Sequence, residues 1–119
     1  MASDPEEAAL LFDDASGDVA VGDLEAAVEK YRRCVQLDPA FFEGWHALGM
    51  ALMRVGDLKG ALGPALMATD LKPNDLLAWT ALSQIYVKLG QIGEAETAKA
   101  NARVLSLGGR IVKDPPSQP

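Results

Sequence analysis

The side chains that could perform chemistry in this chain are few and do not form a recognisable catalytic or metal-binding set. His46 is the single histidine and Cys34 the single cysteine among 119 residues. A zinc site needs three or four nitrogen, sulfur or carboxylate ligands at characteristic spacing. A lone histidine with a lone cysteine placed elsewhere supplies too few, so the sequence predicts no metal or haem ligation at His46.

Other motif-like stretches also lack the pattern that their chemistry requires. Asp13, Asp14 and Asp18 are carboxylates that Ca²⁺ could use, but their spacing does not match an EF-hand loop. The stretch "LGGR" at 107–110 lacks the Lys-Ser/Thr pair of a phosphate-binding loop. We therefore expect no cofactor, no metal ion and no enzymatic activity.

Charge is distributed unevenly and limits the kind of partner. The net charge is −6; residues 1–41 hold ten acids and three bases (−7), whereas residues 42–119 hold seven acids and eight bases (+1). Nucleic acids require basic surface on a protein, and anionic membranes attract basic segments. We therefore expect a protein or peptide partner, with no nucleic acid and no membrane.

Composition and the first residues indicate a soluble cytoplasmic protein of one domain. Hydrophobic residues make up 49% of the chain and charged residues 24%, as in ordinary globular proteins. The segment "MASDPEEAALLFDD" lacks the basic start and the apolar run of a signal peptide. One cysteine leaves no internal disulfide, which fits a reducing compartment.

An internal repeat of 34 residues defines the elements that would position side chains. At this shift Trp45 falls on Trp79, Leu48 on Leu82 and Pro39 on Pro73. Three further sets align across all copies: Gly22, Gly56 and Gly90; Ala27, Ala61 and Ala95; Leu37, Leu71 and Leu105. So many matches at one shift indicate a repeat architecture.

These positions resemble the tetratricopeptide repeat, whose unit is a helix–turn–helix with a W-x2-L-G-x2-Y…A…P pattern. The resemblance is clear in repeats two and three, whereas repeat one matches mainly in its second half. In its first half, Leu11, Asp14 and Asp18 stand where the pattern has Trp, Leu and Tyr. The resemblance implies an all-α fold of three stacked helix pairs, a short right-handed superhelix or α-solenoid.

The repeat divides the chain into five parts. They are an N-terminal cap at 1–7, repeat one at 8–41, repeat two at 42–75, repeat three at 76–109 and a flexible tail at 110–119.

Local signals agree with this division, with one exception. The sequence "VGD" at 21–23 and 55–57 predicts a glycine that ends one helix, followed by an Asp that caps the N-terminus of the next. Cys34 stands where the other copies have Ala68 and Ala102, which predicts a buried small residue rather than a nucleophile. The exception is Pro64 inside the second helix of repeat two, which costs about 3 kcal/mol. It predicts either a tolerated kink or a specifically shaped surface.

The array should end after repeat three, because the residues facing a following repeat become charged. Repeat one has Val28, Tyr31 and Val35 at these places, and repeat two has Leu62, Ala65 and Thr69. Repeat three has the charged residues Glu96, Lys99 and Arg103 there. Terminal repeats need such a polar outer face. Ile111 and Val112 could still fold back onto the domain.

The candidate binding surface is the concave groove that the resemblance places on the first helix of each repeat. Helical spacing assigns it ten residues: Phe12, Glu43, His46, Met50, Met53, Arg54, Leu77, Thr80, Gln84 and Lys88. Exposed methionines suit apolar partner surfaces, although Met50 and Met53 could instead fill gaps between helices. His46 in the groove could titrate near pH 6.5 and tune binding.

Some family members hold an acidic C-terminal peptide between Lys, Asn and Arg side chains on this face. The matching places here carry Phe12, Ser16, Ala47, Leu77 and Ala81, none of which pairs with a carboxylate. The resemblance therefore implies a non-catalytic adaptor that binds an apolar segment of a partner protein. Two alternatives stay open: a self-assembling scaffold or homodimer that pairs through residues 6–20, and a small acidic secretion-type chaperone.

Overall fold

The structure, a computed structural model that describes residues 3–111, contains six α-helices and no strand in that range. The helices are α1 (Pro5–Ala20), α2 (Leu24–Leu37), α3 (Phe42–Arg54), α4 (Leu58–Leu71), α5 (Leu76–Lys88) and α6 (Ile92–Ser106). Successive helices pack as three pairs, and α3 and α5 also touch each other. The all-α prediction is confirmed. Residues 5–7, which the sequence placed in a separate cap, belong to α1.

Aspartates begin most of the helices, as the sequence indicates. Asp23 Oδ1 accepts from Ala26 N at 3.2 Å and Asp57 Oδ1 accepts from Gly60 N at 2.9 Å. Asp4 and Asp75 cap α1 and α5 in the same way. The N-cap of α6 is Gln91, which stands in place of Asp23 and Asp57 and makes no side-chain capping hydrogen bond.

Each helix pair turns at a glycine in the left-handed region. Gly22 has φ 85°, and its N–H donates to Val19 O while Asp23 N donates to Asp18 O. These bonds satisfy carbonyls that the end of α1 would leave unpaired. The equivalent Gly56 has φ 89°, so the repeated glycine is explained by backbone conformation.

Tryptophan and glycine join neighbouring helices. Trp45 Nε1 donates to Pro39 O at 2.7 Å, and Trp79 Nε1 donates to Pro73 O at 2.8 Å, so each indole holds the loop between two repeats. At Gly49 an added Cβ would lie 3.4 Å from Ala65 N. The small residue therefore lets α3 pack against the backbone of α4.

α1 forms a regular helix on α2 despite its poor match to the repeat pattern. Lys30 Nζ lies 2.7 Å from Asp18 Oδ2 and 3.0 Å from Asp14 Oδ2. Ser16 Oγ and Tyr31 OH are 2.9 Å apart. Polar pairs thus replace the apolar contacts of the other copies, and they explain why acids occupy the Leu and Tyr places.

Pro64 lies in the middle of α4, which continues through it as one helix. Its ring is buried, and Gly63 before it is exposed and has no Cβ that could clash with the ring. Proline has no N–H to donate to the carbonyl of Gly60. The missing hydrogen bond is therefore accommodated without a break in the helix.

The C-terminal end of the array is polar, as predicted. Glu96, Lys99 and Arg103 are exposed on α6. Beyond the stop at Gly108, Ile111 N donates to Asn74 Oδ1 at 2.7 Å, which ties the first residues of the predicted tail to the loop between α4 and α5. Val112 and the rest of that tail lie outside the described residues.

Candidate functional site

The ten predicted groove residues all lie on the first helices α1, α3 and α5, but they differ in exposure. Five are exposed and five are half-buried. The exposed ones are Glu43, Arg54, Leu77, Gln84 and Lys88; the half-buried ones are Phe12, His46, Met50, Met53 and Thr80. The exposed group provides charge, an amide and one large apolar side chain.

Phe12 takes part in helix packing. Its ring centroid lies 5.6 Å from that of Tyr31 on α2 and 5.3 Å from that of Phe41 at the start of α3. Tilted aromatic pairs at these distances are favourable. Its ring therefore joins the first two repeats, which helical spacing within α1 alone does not reveal.

The two methionines of α3 have different surroundings. Met53 packs against the main hydrophobic core, which includes Leu48, Leu52 and Ile85. Met50 is half-buried and does not belong to that packed set. Gap filling between helices therefore describes Met53.

A mixed charged and aromatic cluster lies at the start of α3. Lys72 Nζ lies 3.4 Å from Glu43 Oε1 and 4.6 Å from the centroid of the Phe42 ring. The Phe42 ring in turn stacks on His46, with centroids 5.9 Å apart and an interplanar angle of 9°. Lys72, the C-cap residue of α4, therefore contacts both Glu43 and the Phe42 ring on α3.

His46 is held in its neutral form. Burial lowers its pKa below the ordinary 6.5, and the negative charge of Asp75 opposes that effect. The prediction of titration near pH 6.5 is therefore wrong in detail, because a half-buried imidazole disfavours the charged state. At neutral pH the side chain presents one N–H donor and one nitrogen acceptor.

Repeat three brings three of the predicted residues into one shallow cleft. Thr80, Gln84 and Lys88 line a cavity of about 410 Å³ together with Ser83, Val87, Lys99 and Ala102. Thr80 Oγ1 donates to Leu76 O at 2.9 Å, so its methyl group is the free part of the side chain. α5 and α6 form the walls, so the cleft opens at the C-terminal edge of the array.

Residues 3–111 contain no group of three or more His, Cys, Asp or Glu side chains placed to hold a metal ion. Cys34 is buried, and burial with the nearby charge of Asp38 raises its pKa to about 11. Its thiol is therefore protonated and a poor nucleophile at neutral pH.

Reasoning from the sequence missed residues that reach the site from the second helices and the loops. Lys72, Asp75 and Lys99 contribute charge beside predicted positions, although none lies on the assigned face of a first helix. Phe42 was missed because it begins α3. The sequence does contain one signal that could have identified these residues: they differ from the residues at the equivalent positions of the other repeats. Lys72, for example, stands where repeat one has Asp38.

Comparisons with known proteins agree with this geometry. Sequence descriptions of the TPR repeat match residues 18–56, and of the tetratricopeptide repeat residues 76–98. A TPR repeat-containing protein of Pseudomonas aeruginosa is 41% identical over 60 residues, which cover 50% of this chain and 57% of that protein. The match therefore spans little more than half the length of this relative.

Solved structures share the same helical arrangement. The first TPR domain of Spaghetti, bound to the HSP90 peptide SRMEEVD, superposes with a TM-score of 0.86 at 16% identity, covering 92% of this chain and 86% of that one. MamA superposes with a TM-score of 0.82 at 18% identity, covering 88% of this chain and 61% of that one.

The chain belongs to the tetratricopeptide repeat family, with six helices that form about three repeats. This family is generally a non-enzymatic protein-interaction fold. Within residues 3–111, none of the helices is long and apolar enough to cross a lipid bilayer.

Proposed function

We propose that this protein is an adaptor that binds an apolar segment of a partner protein along the faces of α3 and α5. The observation that carries the proposal is the uncovered apolar surface there: Leu77 is 65% exposed and Val87 is 55% exposed. Met50 adds a flexible, polarisable side chain on the neighbouring helix. These exposed apolar side chains offer contact points for the apolar groups of a partner.

The polar residues around this surface suit a peptide backbone. Gln84 can donate and accept hydrogen bonds, and neutral His46 can do the same. Glu43 is already paired with Lys72, so its charge is partly compensated. The partner segment should therefore contribute apolar side chains and backbone groups rather than a cluster of carboxylates.

The groove differs from one that holds an acidic peptide tail. At the places where such family members carry basic or amide groups, Ala81 is buried and Ser16 Oγ lies 2.9 Å from Tyr31 OH. Phe12 packs among aromatic rings, and Leu77 is apolar. We therefore expect the HSP90 peptide SRMEEVD, bound by Spaghetti, to bind poorly here.

A pull-down with a matched control tests the proposal. Wild type, a groove variant (Met50→Glu with Leu77→Glu) and a control variant (Leu66→Glu with Ile92→Glu) are used as bait in native lysate. Leu66 and Ile92 are exposed apolar residues on the second helices α4 and α6, so the control adds the same charge elsewhere. Mass spectrometry identifies the bound proteins.

The expected result is a protein that wild type and the control capture and the groove variant does not. Its binding segment is then mapped with synthetic peptides and measured by calorimetry. Equal capture by all three baits would place binding outside the groove and overturn the proposal.

A further inference from the structure

Within residues 3–111, the two ends of the repeat array are exposed and carry opposite charge. α1 contains five acidic side chains and no basic one. At the other end, the two clefts on α5 and α6 are lined by Lys88, Lys99 and Arg103 with Glu96 as their one acid. The uneven distribution of charge along the sequence thus places acidic and basic side chains on two surfaces at opposite ends of the fold.

α1 exposes a position that its counterparts use to pack on the preceding repeat. At Gly44 in α3, an added Cβ would lie 3.1 Å from both Cys34 Sγ and Val35 Cγ1 of α2. The equivalent Ala78 in α5 is 1% exposed. In α1 this position is Leu10, which is 70% exposed. α1 therefore presents half of a repeat–repeat interface.

The other half of such an interface is exposed on α6. Lys99 and Arg103 stand at the places where Tyr31 and Val35 are buried between repeats one and two. Clefts of about 450 and 410 Å³ lie beside them. Ala102, which lines the second cleft, replaces Cys34 and is smaller, so this end has room for a side chain larger than glycine at the facing position.

The charges at both ends lack partners in the part of the chain that the structure describes. The ion pairs within residues 3–111 involve Lys30 and Lys72. Glu6 and Asp13, which share one stripe of α1 with Leu10, form none. Lys99 and Arg103 form none either. Each end could therefore neutralise the other without breaking an existing pair.

We propose that α1 of a second copy of this chain docks on α5 and α6 of the first, so that the array continues head to tail. Leu10 enters the cleft beside Ala102, and Glu6 and Asp13 face Lys99 and Arg103. Such a contact is heterologous and leaves one free head and one free tail, so it extends with concentration rather than closing as a dimer. This association goes beyond peptide binding in the groove.

Sedimentation equilibrium over a range of concentrations tests the proposal. At low salt the average mass of the wild type should rise above the 12.6 kDa of one chain, and at high salt it should return to that value. The net charge of −6 repels whole molecules at low salt. Association under that condition therefore requires a local contact of opposite charges.

Charge reversal distinguishes the two ends. A head variant (Glu6→Lys with Asp13→Lys) and a tail variant (Lys99→Glu with Arg103→Glu) should each remain at the mass of one chain. Their equimolar mixture should associate again, because the basic reversed head of one variant then meets the acidic reversed tail of the other. The unreversed acidic head and the unreversed basic tail also meet between the two variants. Circular dichroism confirms that both variants are folded.

Control variants carry the same change of net charge away from the ends. Glu25→Lys with Glu29→Lys matches the head variant, and Arg32→Glu with Lys59→Glu matches the tail variant; all four residues are exposed. Both controls should associate as the wild type does. A wild type at 12.6 kDa at every concentration, or a mixture that stays unassociated, would overturn the proposal. Either result would leave the test of the groove intact, because that test uses Met50 and Leu77, which line neither cleft.

Discussion

At the scale of single residues, small side chains set how closely neighbouring helices approach. Gly44 and Gly17 provide a matched pair, because both lie inside helices and differ in their surroundings. At Gly44 a Cβ would meet Cys34 and Val35 at 3.1 Å, whereas at Gly17 nothing lies within 4 Å. The effect of adding one methyl group should therefore have opposite sign at the two positions.

Gly17→Ala should raise the free energy of unfolding by about 0.5–1 kcal/mol, since alanine restricts the unfolded chain. Gly44→Ala should lower it, because overpacking costs about 1–3 kcal/mol and exceeds that gain. Urea unfolding followed by circular dichroism measures both. Adding Cys34→Ala should reduce the penalty at Gly44. Equal stabilisation at both sites would show that α2 moves aside freely.

His46 gives a pH-dependent contribution to stability whose sign follows from its environment. Its pKa is lowered in the folded state, so unfolded chains bind a proton more readily at mildly acidic pH. The stability is therefore complete above pH 6.5 and is lost as the pH falls below that value and through the folded pKa. Unfolding free energies of wild type and His46→Gln at several pH values measure the effect.

The wild type should lose more stability than His46→Gln between about pH 7 and 5.5, a range in which ordinary carboxyl groups stay largely ionised. Subtracting the two curves removes what other groups contribute. Parallel curves would mean that the imidazole is solvated in the folded protein.

At the scale of elements, α4 is the helix that contains an unfavourable residue in its interior, a proline. Pro64 removes one hydrogen bond within the helix, and an interior proline costs about 3 kcal/mol. Pro64→Ala restores the donor to the carbonyl of Gly60 and should raise the free energy of unfolding by a fraction of that amount. Chemical denaturation monitored by tryptophan fluorescence provides the measurement.

The packing of the proline ring is the opposing effect. Pro64 is buried, and its Cβ lies 3.7 Å from the position of a Cβ at Gly49. A large loss of stability in Pro64→Ala would show that this contact between α3 and α4 outweighs the hydrogen bond. Leu66→Ala, on the exposed side of the same helix, should leave stability almost unchanged and serves as the control.

At the scale of the whole molecule, the repeat made most of the fold predictable. The 34-residue period, the glycine turns and the aspartate caps identify all six helices, because each repeat uses the same local chemistry. The sequence was less informative where repeats differ. Asp14 and Asp18 depart from the repeat pattern, and only the structure shows that both form ion pairs with Lys30.

The candidate groove was less predictable than the fold for a physical reason. Helical spacing gives the direction of a side chain, but exposure also depends on what a neighbouring helix covers. Phe12 was assigned to the groove and packs on Tyr31 and Phe41, and Met53 packs on the core. Met50 and Leu77 remain the apolar side chains on which the proposed function depends.

The most direct test of the groove is nuclear magnetic resonance of the chain with labelled methionine methyl groups. Met50 of α3 is assigned to the groove, whereas Met67 of α4 lines a separate cleft with Trp45 and Pro64. The titrant is the partner segment identified by the pull-down. We predict that the Met50 signal shifts to saturation while the Met67 signal stays in place. A shift of Met67 with an unchanged Met50 would contradict binding in the groove.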